Sequence, residues 1–208
     1  MKKAFLATIL ACCTLALAAQ DSIRVNYQGD RPTIKDFAES YLFAPLEDYE
    51  EEAMWVDEAT NAMKDAWTRH GKGQKLEEGQ TLTIDQRNGF VVFESKYEEY
   101  LLRIEMCYWN ESDGKHKVFA VNTSSFQNGI YTSPGQYDGL AFYRYDNATR
   151  KMTPEYEMGF EIEYQTEGGA WVTYALPRSG KDITVTYWYE NGTTKQRPLK
   201  WNGSKFSF

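Results

Sequence analysis

The hydrophobic pattern changes its period near Gly79, and this change constrains the fold more than any other feature of the sequence. Before Gly79, apolar side chains recur every three or four residues, which is the spacing of one helix face. After Gly79 they alternate with polar residues, which is the spacing of a strand with one buried face. The alternation is clearest over residues 100–109, and shorter strands are predicted at Phe90–Glu94 and Phe160–Tyr164, among others. The sequence therefore predicts helices over about 33–70 and strands over about 80–208.

Short turn sequences separate the predicted strands. They include Asn88–Gly89, Asp113–Gly114, Asn191–Gly192 and Asn202–Gly203. Such turns join antiparallel strands, because parallel strands need a long crossover connection. The pattern predicts an antiparallel meander of about eight or nine strands. We expect so many strands to curl into a sandwich or a partly closed barrel.

Two amphipathic helices are predicted ahead of the strands. Thr33 is the expected N-cap of the first helix, Pro45 suits the first turn of the second, and Gly71 ends it. Since each helix has one apolar face, both should pack against the sheet. The predicted fold class is α+β, with an N-terminal helical pair packed on the β-meander. Residues 20–208 are expected to form a single domain, because about 50 residues of helix make a poor independent core.

The first residues are typical of a secretory signal peptide. Two lysines precede an apolar run over residues 4–17, and Ala16-Leu17-Ala18 fits the small-x-small cleavage pattern. We expect residues 1–19 to be removed and the chain to be exported, as a periplasmic or secreted protein. No transmembrane span is expected in the mature chain, because about 20 apolar residues are needed to cross a bilayer. A lipid anchor at Cys12 is the alternative, since the three residues before it loosely resemble a lipobox.

Charge and cysteine content limit the possible partners. The formal net charge is −7, and removal of Lys2 and Lys3 with the leader would make it −9. A surface this negative repels phosphate backbones, so no nucleic-acid partner is expected. Removal of the leader would also leave Cys107 as the only cysteine, which excludes an intramolecular disulfide. In the middle of a strand, Cys107 is interpreted as a small buried hydrophobe.

Residues suited to catalysis or metal binding are scarce in the sequence. His70 and His116 are its only histidines; the first lies at a helix end, and the second follows a turn, where it should be solvated. Two separated histidines and one cysteine do not make a usual zinc site. The segment 110–114 lacks the full calcium-loop pattern and is better interpreted as a hairpin turn. We therefore predict no catalytic residue, no metal site and no cofactor.

Adjacent aromatic residues on the predicted strands are the most distinctive candidates for binding. Neighbours on a strand point to opposite faces, so each pair places one ring outside the core-facing row. Such rings can stack on a sugar or on a partner protein. The alternative is that the helices cover the second face and that both rows belong to the core. The candidate ligand-binding residues are Trp109, Tyr143, Tyr145, Trp188 and Trp201.

The leader ending Ala18-Ala19-Gln20, the modest length and the Tyr- and Trp-rich hairpins resemble uncharacterised exported proteins of Bacteroidota-type bacteria. This resemblance is one of style and implies no functional residue. We predict a non-enzymatic binding or interaction module of the cell envelope, whose partner is an envelope protein or a glycan. One alternative is a carbohydrate-binding accessory protein. Another is a glycoside hydrolase, which needs two carboxyl groups about 5.5 Å or 6.5–9.5 Å apart.

Overall fold

The computed structural model describes residues 22–44, 54–135 and 138–208, with the backbone alone over 54–58. The predicted signal peptide (1–19), its alternative lipid site Cys12 and the predicted helix start at Pro45 lie outside these ranges. None of the helices in the described ranges combines the length and the apolar character needed to cross a bilayer.

Seven antiparallel strands form the larger sheet, in the order β1-β7-β6-β5-β4-β3-β2. Strands β2 to β7 pair in chain order, which confirms the predicted antiparallel meander, and β1 joins its far edge at β7. Gly89 and Gly114, in the turns after β2 and β4, have positive φ angles of 65° and 68°, where glycine is favoured. The strands are β1 Ile23–Arg24, β2 Gln80–Asp85, β3 Phe90–Tyr97, β4 Tyr100–Asn110, β5 His116–Gln127, β6 Gly139–Asp146 and β7 Lys151–Pro154.

Four further antiparallel strands form a smaller sheet, in the order β11-β10-β9-β8. They are β8 Trp171–Ala175, β9 Ile183–Trp188, β10 Thr194–Trp201 and β11 Phe206–Ser207. The strand expected at Phe160–Tyr164 is wrong: this segment is irregular. Its alternating apolar residues do pack on the core between the two sheets. The alternation therefore indicates that one side of this segment is buried, but it does not indicate that the segment pairs with another strand.

The two helices are α1 Ile34–Leu42 and α2 Met54–Gly71. Thr33 is the N-cap of α1, as predicted. Its backbone N–H donates to the Asp36 carboxylate (2.7 Å), and the N–H of Asp36 donates back to the Thr33 hydroxyl (3.4 Å). This capping box satisfies two backbone donors that helix formation leaves without partners. In α2, Trp67 Nε1 donates to Glu39 Oε1 of α1 (3.1 Å), which joins the two helices.

Two cores lie on the two faces of the larger sheet. The helix-side core lies between the helices and the sheet, and its fully buried members include Phe37, Met63, Phe93, Met106, Phe119, Tyr145 and Met152. The between-sheet core includes Phe90, Cys107, Trp109, Phe142, Ile183, Leu199 and Phe206. Tyr108 packs on the first core and its neighbour Trp109 belongs to the second. Both aromatic rows are therefore core at this position, and Cys107 is buried as predicted.

The predicted α+β class is wrong, because the described part of the protein is mostly β, with eleven strands and only two helices. The helical pair covers one face of the larger sheet, whereas the smaller sheet covers the other face. The architecture is thus a β-sandwich or half-barrel with a helical layer added on one side. The expectation of a sandwich or partly closed barrel fits, and the weight given to the helices does not.

Buried polar side chains satisfy the free backbone edge of β8. The Leu176 N–H donates to Glu105 Oε2 (2.9 Å), and the Tyr174 carbonyl accepts from Asn122 Nδ2 (2.7 Å). Glu105 and Asn122 belong to β4 and β5 and are 6% and 2% exposed. Burial raises the pKa of Glu105 above its ordinary value, and the Leu176 hydrogen bond partly offsets that effect. These side chains therefore attach the smaller sheet to the larger one and occupy an edge that could otherwise pair with another strand.

Candidate functional site

Strands β4 and β5 form a long hairpin, and the two ends of this hairpin carry different surfaces. At one end, β4 leads into β5 through the turn 111–115. Asp113 Oδ1 accepts the backbone N–H groups of Lys115 (2.8 Å) and His116 (3.0 Å) and so fixes the turn. The Ser112 N–H donates to the carbonyl of Gly203 (2.8 Å), which holds the last turn of the smaller sheet against it.

A charged network fills this end of the hairpin; its members are Glu111, Asp113, His116, Arg144 and Asp146. Glu111 is buried, and its two carboxylate oxygens accept from Nε and Nη2 of Arg144 at 2.9 and 2.8 Å. This is the bidentate geometry in which an arginine–carboxylate pair is strongest. Arg144 lies on β6, 33 residues after Glu111. The sequence carries no local signal for this pair.

His116 belongs to the same network, so it is only partly solvated, whereas the sequence predicts a solvated side chain. Its Nδ1 lies 2.5 Å from Asp113 Oδ2, and its Nε2 lies 3.9 Å from Asp146 Oδ2. The side chain is 25% exposed. The spacing Asp113-x-x-His116 across a tight turn is the signal that could have indicated this pair, because the turn brings these two side chains together.

Hydrogen bonds lower the pKa values of two carboxyl groups of the network, those of Asp113 and Asp146. Hydrogen bonding to His116 is the largest cause that holds the pKa of Asp113 well below its usual range. The pKa of Asp146 is lowered mainly by the backbone N–H groups of Ala148 and Thr149. The pKa of Arg144 is raised by its hydrogen bond to Glu111. Both aspartates therefore remain ionised near neutral pH.

Two kinds of chemistry can be tested against this geometry. Ligand atoms of Glu111, Asp113 and His116 lie within 4.8 Å of one another, a spacing that a metal ion could bridge. The Arg144 guanidinium, however, binds both oxygens of Glu111 and lies 3.9 Å from Asp113, so a cation there would meet a fixed positive charge. General acid catalysis needs a carboxyl group that stays protonated, and neither Asp113 nor Asp146 meets this requirement. The geometry best fits a network whose side chains satisfy one another's hydrogen bonds.

An open depression of about 310 Å³ adjoins the charged network. His116, Arg144 and Asp146 line it together with exposed or partly exposed polar residues of β7 and its surroundings. Those further lining residues are Ser22, Thr149, Lys151 and Thr153.

Two of the five predicted aromatic binding residues are buried in the cores. Trp109 is 4% exposed and donates from Nε1 to the Lys181 carbonyl (2.8 Å), while Tyr145 is 0% exposed in the helix-side core. Neither ring offers a face to a ligand in this conformation. Tyr143 is half-buried, 5.6 Å from Tyr41 between ring centroids. These three residues do not form a shared surface, and their binding role stays a prediction.

The remaining two predicted residues lie in separate clusters. Trp201 is half-buried with its ring 4.8 Å from Phe206 and 6.0 Å from Trp109, so it closes the between-sheet core. Trp188 is also half-buried, and its ring lies 6.0 Å from Phe126 and 6.4 Å from that of Tyr131.

The other end of the β4 hairpin carries the most exposed aromatic pair on the strands. We call Tyr97, Glu98, Glu99 and Tyr100 the tyrosine tip; they form the turn between β3 and β4. Tyr97 and Tyr100 are directly opposite each other in the strand register. They are 74% and 53% exposed, and Ile130, 51% exposed, follows the end of the neighbouring strand β5. Sequence reasoning missed this pair because it ended the preceding strand at Glu94, before Tyr97.

The tyrosine tip is also acidic. Glu98 and Glu99 occupy the turn, and the exposed Glu78 precedes Gly79, whose carbonyl accepts the N–H of Lys96 (3.0 Å). None of these three glutamates forms an ion pair with any residue that the structure describes. Glu99 accepts only a neutral donor, Gln127 Nε2, at 3.2 Å.

Comparison with known proteins adds no relative: no family model, curated protein or solved structure matches this chain.

Proposed function

We propose that this chain is an exported, non-enzymatic binding module of the bacterial cell envelope, and that it binds through the tyrosine tip. The observation that carries the proposal is the pair Tyr97 and Tyr100, which together expose two aromatic rings at the end of a rigid hairpin. Large aromatic side chains on a surface, next to unpaired polar groups, are characteristic of recognition sites.

The position of the tip supports a binding role. Tyr97 and Tyr100 are held by consecutive strands in the larger sheet, and β4 continues through Ile104 and Met106 into the helix-side core. The rings are thus presented on a fixed backbone, so little ordering entropy is lost when a partner binds. Ile130 extends the apolar part of the surface.

The charged network supports the non-enzymatic part of the proposal. Its carboxylates are paired with Arg144 and His116, and the pKa values of Asp113 and Asp146 are lowered. The two catalytic carboxyl groups of a glycoside hydrolase need different pKa values, since one of them must stay protonated to act as the acid while the other is ionised. The network has the composition of a structural anchor for the hairpin turn.

The sequence supports the export part. A basic start, an apolar run over residues 4–17 and a small-x-small pattern are together characteristic of a signal peptide. Fractionation of cells that express the full chain tests this directly. Cleavage near Ala18, read from the N-terminal sequence of the exported protein, is the expected result, and retention in the cytoplasm would contradict it.

The binding function is tested with the protein in three forms. Wild type, Tyr97→Ser/Tyr100→Ser and the control Tyr156→Ser/Phe208→Ser, whose side chains are 86% and 54% exposed elsewhere, are compared on isolated cell envelopes. The proposal predicts saturable binding by wild type and the control, and loss of binding by the tip variant. Equal binding by all three, or hydrolase activity toward envelope glycans, would contradict it.

A carbohydrate ligand is the second candidate function, and the half-buried Trp188 favours it. Trp171 and Trp188 are directly opposite each other in the register of β8 and β9, on the face opposite to Val172 and Val185. Trp188 Nε1 donates to the Thr173 hydroxyl (2.9 Å), which fixes the ring as a platform. Titration of oligosaccharides should change the tryptophan fluorescence of wild type and leave Trp188→Ala unchanged. Absence of a response across a broad panel of glycans counts against this candidate.

A further inference from the structure

We infer that the tyrosine tip recognises a positively charged, lysine- or arginine-bearing segment of a partner protein. The inference rests on the proposed binding function and specifies the chemistry of its partner. It follows from the combination of exposed aromatic rings with carboxylates that have no counter-charge.

The two aromatic rings of the tip can contact a single cationic chain. Tyr97 and Tyr100 lie on the same face of neighbouring strands and are directly opposite in register, so their rings are close enough to contact one extended chain. The face of a tyrosine ring attracts an ammonium or guanidinium group. A similar contact occurs within this protein, where the Arg150 guanidinium lies 4.5 Å from the ring centroid of Tyr27.

Acidic side chains surround the two rings. Glu98 and Glu99 lie between the two tyrosines in sequence, and Glu78 lies beside the end of β3. The nearby Glu94 is neutralised by Arg103, whose Nε lies 2.8 Å away. Lys96 is the nearest lysine in sequence, and it points to the opposite face of β3 from Tyr97. The tip therefore carries three carboxylates that form no ion pair with any described residue, and these outnumber the one nearby lysine.

The two glutamates of the tip are unusual residues for a two-residue hairpin turn. Glu98 has a positive φ of 51°, a conformation that favours Asn or Gly in a two-residue hairpin turn. Glu98 costs conformational energy in this position, and the neighbouring Glu99 places a like charge beside it. A cationic partner would offset that repulsion, which gives the acidic pair a role that turn geometry alone does not explain.

The probe for the test is a fluorescein-labelled ten-residue peptide of alternating lysine and threonine, with glutamine in place of lysine as the neutral control. Fluorescence anisotropy should show saturable binding of the lysine peptide alone. Binding should weaken as NaCl is raised from about 50 to about 300 mM, because exposed charge pairs are screened. A cationic aminosugar oligomer, run in parallel, should bind more weakly than the lysine peptide.

Matched variants locate the binding surface. Glu98→Gln/Glu99→Gln should weaken peptide binding roughly tenfold, which is the sum of two modest ion pairs. Tyr97→Ser/Tyr100→Ser should weaken it roughly fivefold through loss of cation–π contacts. The control Glu161→Gln/Glu163→Gln changes the net charge equally at two other exposed glutamates and should retain wild-type affinity. Circular dichroism should show that all variants keep the wild-type fold.

Three results would overturn the cationic partner. Equal weakening by both glutamate pairs would show a non-specific charge effect and overturn the inference. Preference for the aminosugar oligomer, or no peptide binding, would also overturn it. If the envelopes are still bound through Tyr97 and Tyr100 in those cases, the proposed binding function stands and only the cationic partner is wrong. If envelope binding is absent as well, both are wrong.

Discussion

The acidic residues at the two ends of β4 differ in whether they form ion pairs. At the end near Asn110, Glu111, Asp113 and Asp146 are paired with Arg144 and His116. At the other end, Glu98 and Glu99 have no ion-pair partner among the described residues, and they stand between two exposed tyrosines. Both ends are turns of one antiparallel sheet, so the backbone does not explain the difference.

The difference fits the roles proposed above, in which one end stabilises the fold and the other contacts a partner. A bidentate pair with a buried carboxylate fixes strand positions, and its loss leaves an uncompensated charge. Unpaired acids beside exposed rings do little for folding, since exposed charges contribute less than about 1 kcal/mol. The charged network therefore holds the molecule together, and the tyrosine tip faces outward.

The largest expected contrast is between a buried tyrosine and the exposed pair. Tyr145→Ala should lower the free energy of unfolding by about 3–5 kcal/mol, because it removes a fully buried ring from the helix-side core. Tyr97→Ser/Tyr100→Ser should lower it by less than about 1 kcal/mol, the worth of one cross-strand pair. Urea denaturation monitored by circular dichroism measures both. A larger loss at the tip would mean that these rings serve the fold.

The next contrast compares glutamates at the two ends. Glu111→Ala should lower the free energy of unfolding by about 2 kcal/mol, because Arg144 loses its partner. The loss is no larger because the Arg144 side chain is 42% exposed, so water solvates part of its guanidinium. Glu98→Ala/Glu99→Ala should change stability by less than about 0.5 kcal/mol. Thermal and urea unfolding of both variants gives the comparison. Similar losses at both ends would remove the distinction between them.

The pH dependence of stability probes the charged network. The pKa of Asp113 is lower in the folded protein than its ordinary value of 3.8, so its stabilising effect is present above that value and is lost as the pH falls through the folded pKa. Asp113→Asn should be less stable than wild type at pH 7, and the difference should shrink on acidification below about pH 4. Unfolding curves between neutral pH and pH 2 test this. A difference that stays constant with pH would show that the charge of Asp113 is unimportant.

Glu105 should behave in the opposite way. Burial raises its pKa in the folded protein above 4.5, so its contribution is greatest below that value and is lost as the pH rises through the folded pKa. Glu105→Gln keeps an oxygen that can accept the Leu176 N–H and removes the titration. The stability of this variant relative to wild type should therefore increase from pH 4 to pH 7. A decrease over that range would contradict the conclusion that Glu105 is a buried acid with a raised pKa.

Asn122→Ala tests the neutral hydrogen bond on the same edge of β8, because it leaves the Tyr174 carbonyl without its donor.

Some of the fold could be predicted from local signals in the sequence. Turn pairs such as Asn88–Gly89 and the alternation in β4 predicted the antiparallel meander, and Thr33 predicted the start of α1. The sequence could not predict which element packs on each face of the larger sheet. Alternation shows that a side chain is buried, but it does not show which element packs on it. For this reason the sequence overstates the helices and predicts a strand at Phe160–Tyr164 where the structure has none.

The sites were harder to predict than the fold. Arg144 meets Glu111 across 33 residues because β6 lies beside β5, and this follows from topology alone. Trp109 and Tyr145 were attractive binding candidates because adjacent aromatics point to both faces, but both faces are covered at their positions. Tyr97 and Tyr100 were missed because the strand before them was ended too early.

One measurement tests the central claim most directly. Amide chemical shifts of the ¹⁵N-labelled protein are followed by NMR during titration with the lysine–threonine peptide. The account predicts that the shifted resonances cluster at 97–100 and the adjoining residues 127–130, while those at 111–116 and 144–146 stay in place. Shifts that cluster at the charged network instead, or that leave the tyrosine tip unaffected, would contradict it.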